Sequence, residues 1–196
     1  MPPMLKTAHE AIVAPATEEH PRNDHSLIFS LLEDRLVLAW CEYYARSRRA
    51  VDAWEETGQH MVRDAFPCRI TARTSSDSGR SWGGRFTLQE NTCQENVKHP
   101  NLVRLNSGEI LFFFTGWASN TRRNVFMRRS DDEMETWSAP RQISDPGFYC
   151  NNADHILTLR SGRVLLPAHG WVGERDLHER TSSGLESFVF YSDDGF

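Results

Sequence analysis

An all-β fold built from repeated four-stranded units is predicted by three observations. The segment Ser75-Ser76-Asp77-Ser78-Gly79-Arg80-Ser81-Trp82 recurs as Ser130-Asp131-Asp132-Glu133-Met134-Glu135-Thr136-Trp137, and a third copy begins at Ser192-Asp193-Asp194. Each copy follows a short apolar alternating run, residues 69–73, 124–128 and 186–191, that reads as a strand entering a turn. A second element recurs in step with the first. Residues 27–40, 101–114 and 155–167 each read as two strands around a tight turn, with Leu31, Leu105 and Leu159 five residues before Leu36, Ile110 and Val164.

Taken in chain order, the elements give one sentence three times: strand, turn, strand, longer loop, strand, Ser/Asp turn, strand. That is four antiparallel strands per unit, and the apolar density of the hairpins suits strands buried on both faces. Units of this size, each a four-stranded sheet, are the signature of a β-propeller, in which radial packing buries sheet faces that no single blade could bury alone. The lack of 3.6-residue periodicity excludes a helical solenoid. About three blades are expected where a closed ring needs roughly 4 to 8. The expected organisation is therefore an N-terminal extension over residues 1–17 and a partial propeller over 18–196 that stops within the third turn motif.

Within the turn, Ser75 and Asp77 can accept from backbone N–H groups, Gly79 supplies a left-handed position, and Trp82 offers an apolar face to pin the loop. Ser130, Asp132 and Trp137 repeat the pattern. Met134 stands where the first copy has Gly79, so the second turn is expected to be looser. The carboxylates of Asp77 and Asp132 read as structural.

The chain is 39% hydrophobic and 25% charged, with a net charge of −5, which is ordinary globular composition and argues against a nucleic-acid partner. The cluster Arg46-Ser47-Arg48-Arg49 reads as a solvated loop. The N-terminus has no continuous apolar region and no run approaches the ~20 residues of a membrane span, so the chain as given reads as cytoplasmic and soluble with no membrane partner. An upstream signal would change that location to secreted or periplasmic. Cys41, Cys68, Cys93 and Cys150 lack C-x-x-C spacing or a nearby pair of histidines, which suggests free thiols, no metal and no cofactor.

The S-x-D-x-G-x-[ST]-W turns resemble the Asp boxes, or BNR repeats, of the sialidase superfamily, whose members are six-bladed propellers that cleave terminal sialic acids. Further matches carry the resemblance to bacterial sialidase-like proteins. His20-Pro21-Arg22-Asn23 resembles the segment bearing the first arginine of the family's carboxylate-binding triad. Asp64-Ala65-Phe66-Pro67, eleven residues before Ser75, resembles the loop that supplies its acid/base. Tyr149-Cys150-Asn151-Asn152 followed by residues 161–167 is similar to a third-blade signature of that branch, although His155 stands where arginine is frequent.

The resemblance implies a retaining exo-α-sialidase in its complete form. Asp64 would be the catalytic acid, with Arg22, Asn23, Asn152 and Trp117 contacting the substrate, a sialylated or related glycan. Guanidinium is suited to a sugar carboxylate because it is planar, bidentate and always charged. The family's tyrosine nucleophile, its glutamate partner and two further arginines come from later blades, so the 196-residue piece is expected to be inactive alone. The alternative is an Asp-box propeller that binds glycans or proteins without hydrolysis. In the blade arrangement Arg22, Asn23, His99, Asn151, Asn152, Asp64, Trp117 and His169 open on one face, and the Ser/Asp turns open on the other. The long insertion of residues 43–62 reads as a lid-like excursion.

Overall fold

The computed structural model describes residues 10–44, 64, 66–119, 121–152, 155–173 and 184–196. Every regular element among them is a β-strand. The first sheet runs β1 (Arg22–Ser30), β2 (Leu36–Tyr43), β3 (Cys68–Ser75) and β4 (Phe86–Gln89) in that spatial order, all neighbours antiparallel. The second repeats the meander with β5 (Asn96–Arg104), β6 (Ile110–Ser119), β7 (Arg122–Ser130) and β8 (Arg141–Gln142). In the third, β9 (Gly147–Cys150) and β10 (Leu157–Thr158) pair with one edge of β11 (Val164–Val172), and β12 (Glu186–Ser192) pairs with the other. A parallel contact of Arg123 with Phe148 joins β7 to β9, so the second and third units are continuous.

The middle unit shows how the units stack. Successive strand residues point to opposite faces, and Phe112, Phe113 and Phe114 are all at most 1% exposed. Phe112 and Phe114 enter a core shared with Val37, Ala39, Ile70 and Ala72 of the first unit. Phe113 enters a separate core with Tyr149, Val164 and Leu166 of the third. Burying each ring contributes about 1.5–3 kcal/mol. Burial on both faces therefore holds for the middle unit but not for the outer ones, where Ile28, Val189 and Tyr191 are more than half exposed. Among the described residues only the middle unit has a neighbour against each face.

The three Ser/Asp turns share one hydrogen-bond pattern. Ser75 Oγ donates to Asp77 Oδ1 at 2.9 Å and accepts from Gly79 N at 2.9 Å, and Asp77 Oδ1 accepts from Ser81 N at 2.8 Å. Ser130 donates to Asp132 at 2.8 Å, accepts from Met134 N at 2.9 Å, and Thr136 N reaches Asp132 at 2.8 Å. Ser192 repeats the first two bonds with Asp194 and Phe196 N. The second turn is thus as tight as the first, contrary to the expectation from Met134. Met134 adopts φ 74° beside Glu133 at φ 59°, the same left-handed pair as Gly79 and Ser78, so the hydrogen bonds impose the conformation on a residue that disfavours it. Trp137 lies over Phe112 with ring centroids 5.5 Å apart, and Trp82 lies beside Gly79.

Strand register separates the two ends of the molecule. Arg22 pairs with Tyr43 and Tyr43 with Cys68 at one end; Ser30 pairs with Leu36 and Leu36 with Ser75 at the other. A strand of this length spans roughly 24 Å, so Asp77 stands that far from the end where Arg22 and Asp64 lie. The same holds for Trp117 and Arg123 against Ser130 in the second unit. The excursion over residues 45–63, with Trp54-Glu55-Glu56, lies outside the described residues.

Candidate functional site

The inner strand of every unit loses register at the same height. The break falls between Asp24 and Leu27 in β1 and between Lys98 and Asn101 in β5, and the third unit's inner strand is interrupted between Cys150 and Leu157. Bulges re-aim side chains, and here they put His25 (φ 47°) and His99 (φ 59°) in left-handed backbone. The two rings meet edge to face at 4.7 Å. Asp24, Lys98 and Cys150, each immediately before its break, turn toward a common mouth.

Asp64 is fixed there from both adjoining units. Buried Asn96, at the start of β5, donates Nδ2 to the backbone carbonyls of Asp64 at 2.6 Å and Phe66 at 3.1 Å. The Asp64 carboxylate then accepts from Arg22 Nη2 at 2.8 Å and Lys98 Nζ at 3.4 Å. Arg22 Nε also bonds Asp24 at 2.5 Å, and its guanidinium lies 4.6 Å from the Tyr43 ring centroid. Burial raises the Asp64 pKa, but the Lys98 charge and the Arg22 hydrogen bond outweigh it and hold the carboxyl below its usual value. Asp24 is lowered as well, burial being overcome by its His25 hydrogen bond. At rest both carboxyls are charged.

A pocket of about 220 Å³ opens beside Asp64, with Lys98, His99, Arg123, Cys150, Asn152 and Trp171 among its walls. That is below the roughly 300–1,000 Å³ of most ligand pockets. Lys98 is 2% exposed and Arg123 5%. The Arg123 guanidinium is sandwiched, 3.9 Å from the Trp117 ring centroid and 4.6 Å from that of Phe148, which stacks on Trp171 at 4.7 Å. Its Nη1 bonds the Cys150 sulfur. Burial pushes the Cys150 thiol up, and the Arg123 charge with the His169 hydrogen bond brings it down to about 7. Burial, followed by the charges of Lys98 and Arg123, pushes the His99 imidazole well below its ordinary value, so it stays neutral. Two buried donors, Arg123 Nε and Trp171 Nε1, have no hydrogen-bond partner among the described residues.

The residues singled out in the sequence are distributed unequally. Asp64, Trp117 and Asn152 line the pocket, and Arg22 stands behind Asp64 with its charge divided between two carboxylates. Trp117 has one face under Arg123, and its Nε1 is bonded to Ser119 O at 2.7 Å. Asn23 lies outside the pocket: its Oδ1 accepts from Trp40 Nε1 at 3.0 Å and its Nδ2 reaches the carbonyls of Ala14 and Pro15. Lys98, Arg123, His25 and Trp171 carry much of the site's chemistry and had not been singled out. Nothing in the mixed sequence of β5 marks Lys98.

No family model matches the chain, and no curated protein does. Solved structures do. A Dyadobacter fermentans protein of unknown function superposes with a TM-score of 0.67 at 17% identity, covering 92% of this chain and 53% of its own. A Hadza microbial sialidase gives 0.65 at 13% identity, covering 91% of this chain and 36% of its own. An α-L-arabinofuranosidase of Fusarium graminearum gives 0.59 at 12% identity, covering 91% and 48%. The chain therefore spans about half or less of the length of these structures, and its all-β fold is one found in sialidases and in arabinofuranosidases.

Proposed function

We propose that this chain forms part of a sialidase-type β-propeller glycoside hydrolase, with Asp64 as the acid/base of an exo-acting, retaining reaction on an anionic sugar. The observation that carries this reading is the Asp64 carboxylate held between Arg22 and Lys98 at the edge of a pocket whose other buried cation is Arg123. With a neutral sugar Lys98 would keep only the Asp64 carboxylate it shares with Arg22, and Arg123 only the Cys150 sulfur and two aromatic faces; an anionic sugar would further offset the burial of both charges. The occurrence of the fold in sialidases supports the reading.

The same geometry supplies a mechanism for arming the acid. A general acid must hold a proton near the working pH, and Asp64 at rest does not, because two cations stabilise its anion. A substrate carboxylate drawn to Arg22 and Lys98 would take over those charges and exclude water, and both effects raise the Asp64 pKa. Anion binding then protonates the acid, which gives its proton to the leaving oxygen and afterwards draws one from water. The nucleophile belongs to the remainder of the ring in this reading.

A second reading, glycan binding without hydrolysis, is favoured by Asp64 being ionised and doubly paired. One experiment separates them, using the complete protein that carries these blades. Hydrolysis of a natural α-sialoside should fall at least 100-fold in Asp64→Ala, and less on a substrate with an activated leaving group. Equal losses on both substrates would remove Asp64 from the acid role. Sialoside binding with no turnover in the wild type would favour the binding module, and turnover of an arabinofuranoside alone would reject the anionic substrate.

A further inference from the structure

On the first unit's side of the mouth, next to the pocket, three strands bring together an oxygen, a nitrogen and two sulfurs. Asp24 and Cys41 are direct cross-strand partners in β1 and β2, and His25 follows in the bulge. Asp24 Oδ1 lies 2.7 Å from His25 Nδ1, and the His25 ring also hydrogen-bonds the Cys41 thiol. Ligand atoms of Asp24, His25 and Cys41 all lie within 4.8 Å of one another. Cys68, from β3, is hydrogen-bonded to the Cys41 sulfur, and both thiols are buried and unoxidised.

We propose that Asp24, His25 and Cys41 form a binding site for a borderline divalent cation of the zinc class, with Cys68, which adjoins Cys41, swinging in as the fourth ligand. The donor set is the one such an ion takes, mixing thiolate, imidazole and carboxylate where magnesium or calcium would require oxygens alone. Tetrahedral zinc, with bonds of about 2.0–2.3 Å, separates its ligands by about 3.3–3.7 Å. The Asp24–His25 contact must open by roughly half an ångström, a side-chain rotation, to admit the ion in place of the shared proton.

The surroundings already hold these ligands in place. Asp24 offers Oδ1 inward because Oδ2 is bonded to Arg22 Nε at 2.5 Å. The His99 backbone N–H donates to the Cys41 sulfur at 3.4 Å, and the His99 ring packs edge to face against His25. Outer contacts of this kind orient ligands and tune affinity. The charges also balance. Arg22 and Lys98 stand nearby, but Asp64 is bonded to both, and a dication displaces the imidazole proton and at least one thiol proton, so the local charge changes little.

Cobalt(II) titrated into the reduced, metal-free full chain tests the site. One equivalent should bind with a thiolate-to-cobalt charge-transfer band and the visible spectrum of a tetrahedral ion, and zinc should bleach both. Cys41→Ser, Cys68→Ser and His25→Ala should each weaken binding at least tenfold, whereas Cys150→Ser, a thiol of the pocket, should not. In the unmutated chain zinc should raise the thermal midpoint, magnesium should not, and a chelator should reverse the rise. Absence of the sulfur band in the folded wild type, its survival when Cys41 and Cys68 are both replaced, or its loss in Cys150→Ser would each overturn the proposal.

Discussion

Gly170 makes the packing of the third unit testable by one added methyl group. It sits on β11 opposite Tyr149 of β9 at φ 151°, and a Cβ there would lie 1.8 Å from the Phe148 carbonyl oxygen. Ordinary contact begins near 3.4 Å, so β9 and β11 would have to part by about 1.6 Å, and the obstacle is backbone, which cannot rotate away. Separation on that scale breaks the neighbouring ladder bonds, at about 1 kcal/mol each, and adds the 1–3 kcal/mol of an overpacked core. Gly170→Ala should therefore lose at least about 3 kcal/mol, a fall in Tm of roughly 6–12 °C for a domain of this size. Gly173→Ala is the control: its φ is 83°, nothing lies within 4 Å, and the expected cost is only the 1–2 kcal/mol of a left-handed backbone. Urea unfolding of the three proteins followed by tryptophan fluorescence measures both, since Trp171 neighbours Gly170. Equal losses in the two variants would refute the close approach of β9 to β11.

Three further outcomes follow from the same contacts. Ser75→Ala and Ser130→Ala should each cost about 1–3 kcal/mol by leaving a turn N–H without its acceptor; a much smaller loss for Ser130→Ala in chemical denaturation would mean the second turn is loose after all. Asp77 is held at about 2, chiefly by the Ser81 hydroxyl and backbone bonds, so its folded pKa lies below its unfolded one. Its contribution is present above pH ~4 and lost as pH falls toward 2, and Asp77→Asn should flatten the acid limb of a stability titration over that window; an unchanged limb would contradict the assignment. Lys98→Met removes the largest influence lowering the Asp64 pKa, so the Asp64 carboxyl should titrate at higher pH by NMR, and a fall or no change would show that Lys98 does not act on it.

The repeated units were legible because their signals are local. A Ser hydroxyl two residues before an Asp, and apolar alternation broken by a turn, are written in consecutive residues. Arg22 and Asp64 were found through neighbours in sequence that resemble a known segment. The rest of the site was hidden because contacts across strands create it. Lys98 reads as an ordinary lysine until β5 is bulged and packed beside the Asp64 loop, and Arg123 reads as a surface residue at a strand start until Phe148 of the next unit closes over it. Asn23 misled for the converse reason: its position at the start of β1 is right for the mouth, but Trp40 and the carbonyls of Ala14 and Pro15 claim its amide. Cys41 and Cys68 are separated by an excursion that sequence spacing cannot fold away, so a thiol pair formed by adjacent strands looked like two unrelated cysteines.

The bulges explain why buried cations gather at the mouth and not at the turn end. At equivalent inner-strand positions the three units place Asp24, Lys98 and Cys150, a carboxylate, an ammonium and a thiol softened by Arg123. Asp24 draws Arg22 toward the first unit, which leaves Lys98 and Arg123 as the cations bordering the pocket. Both are nearly inaccessible, so water screens them weakly and their field is felt within the pocket rather than over the surface. At the far end the situation is reversed: Asp77 and Asp132 are half-buried at the surface, and the donors of their own turns saturate them. Those carboxylates have little left to offer a ligand. At the mouth Lys98 and Arg22 share the one Asp64 carboxylate, so in the proposed reaction an anionic ligand would compete for those cations and release Asp64 to take up a proton.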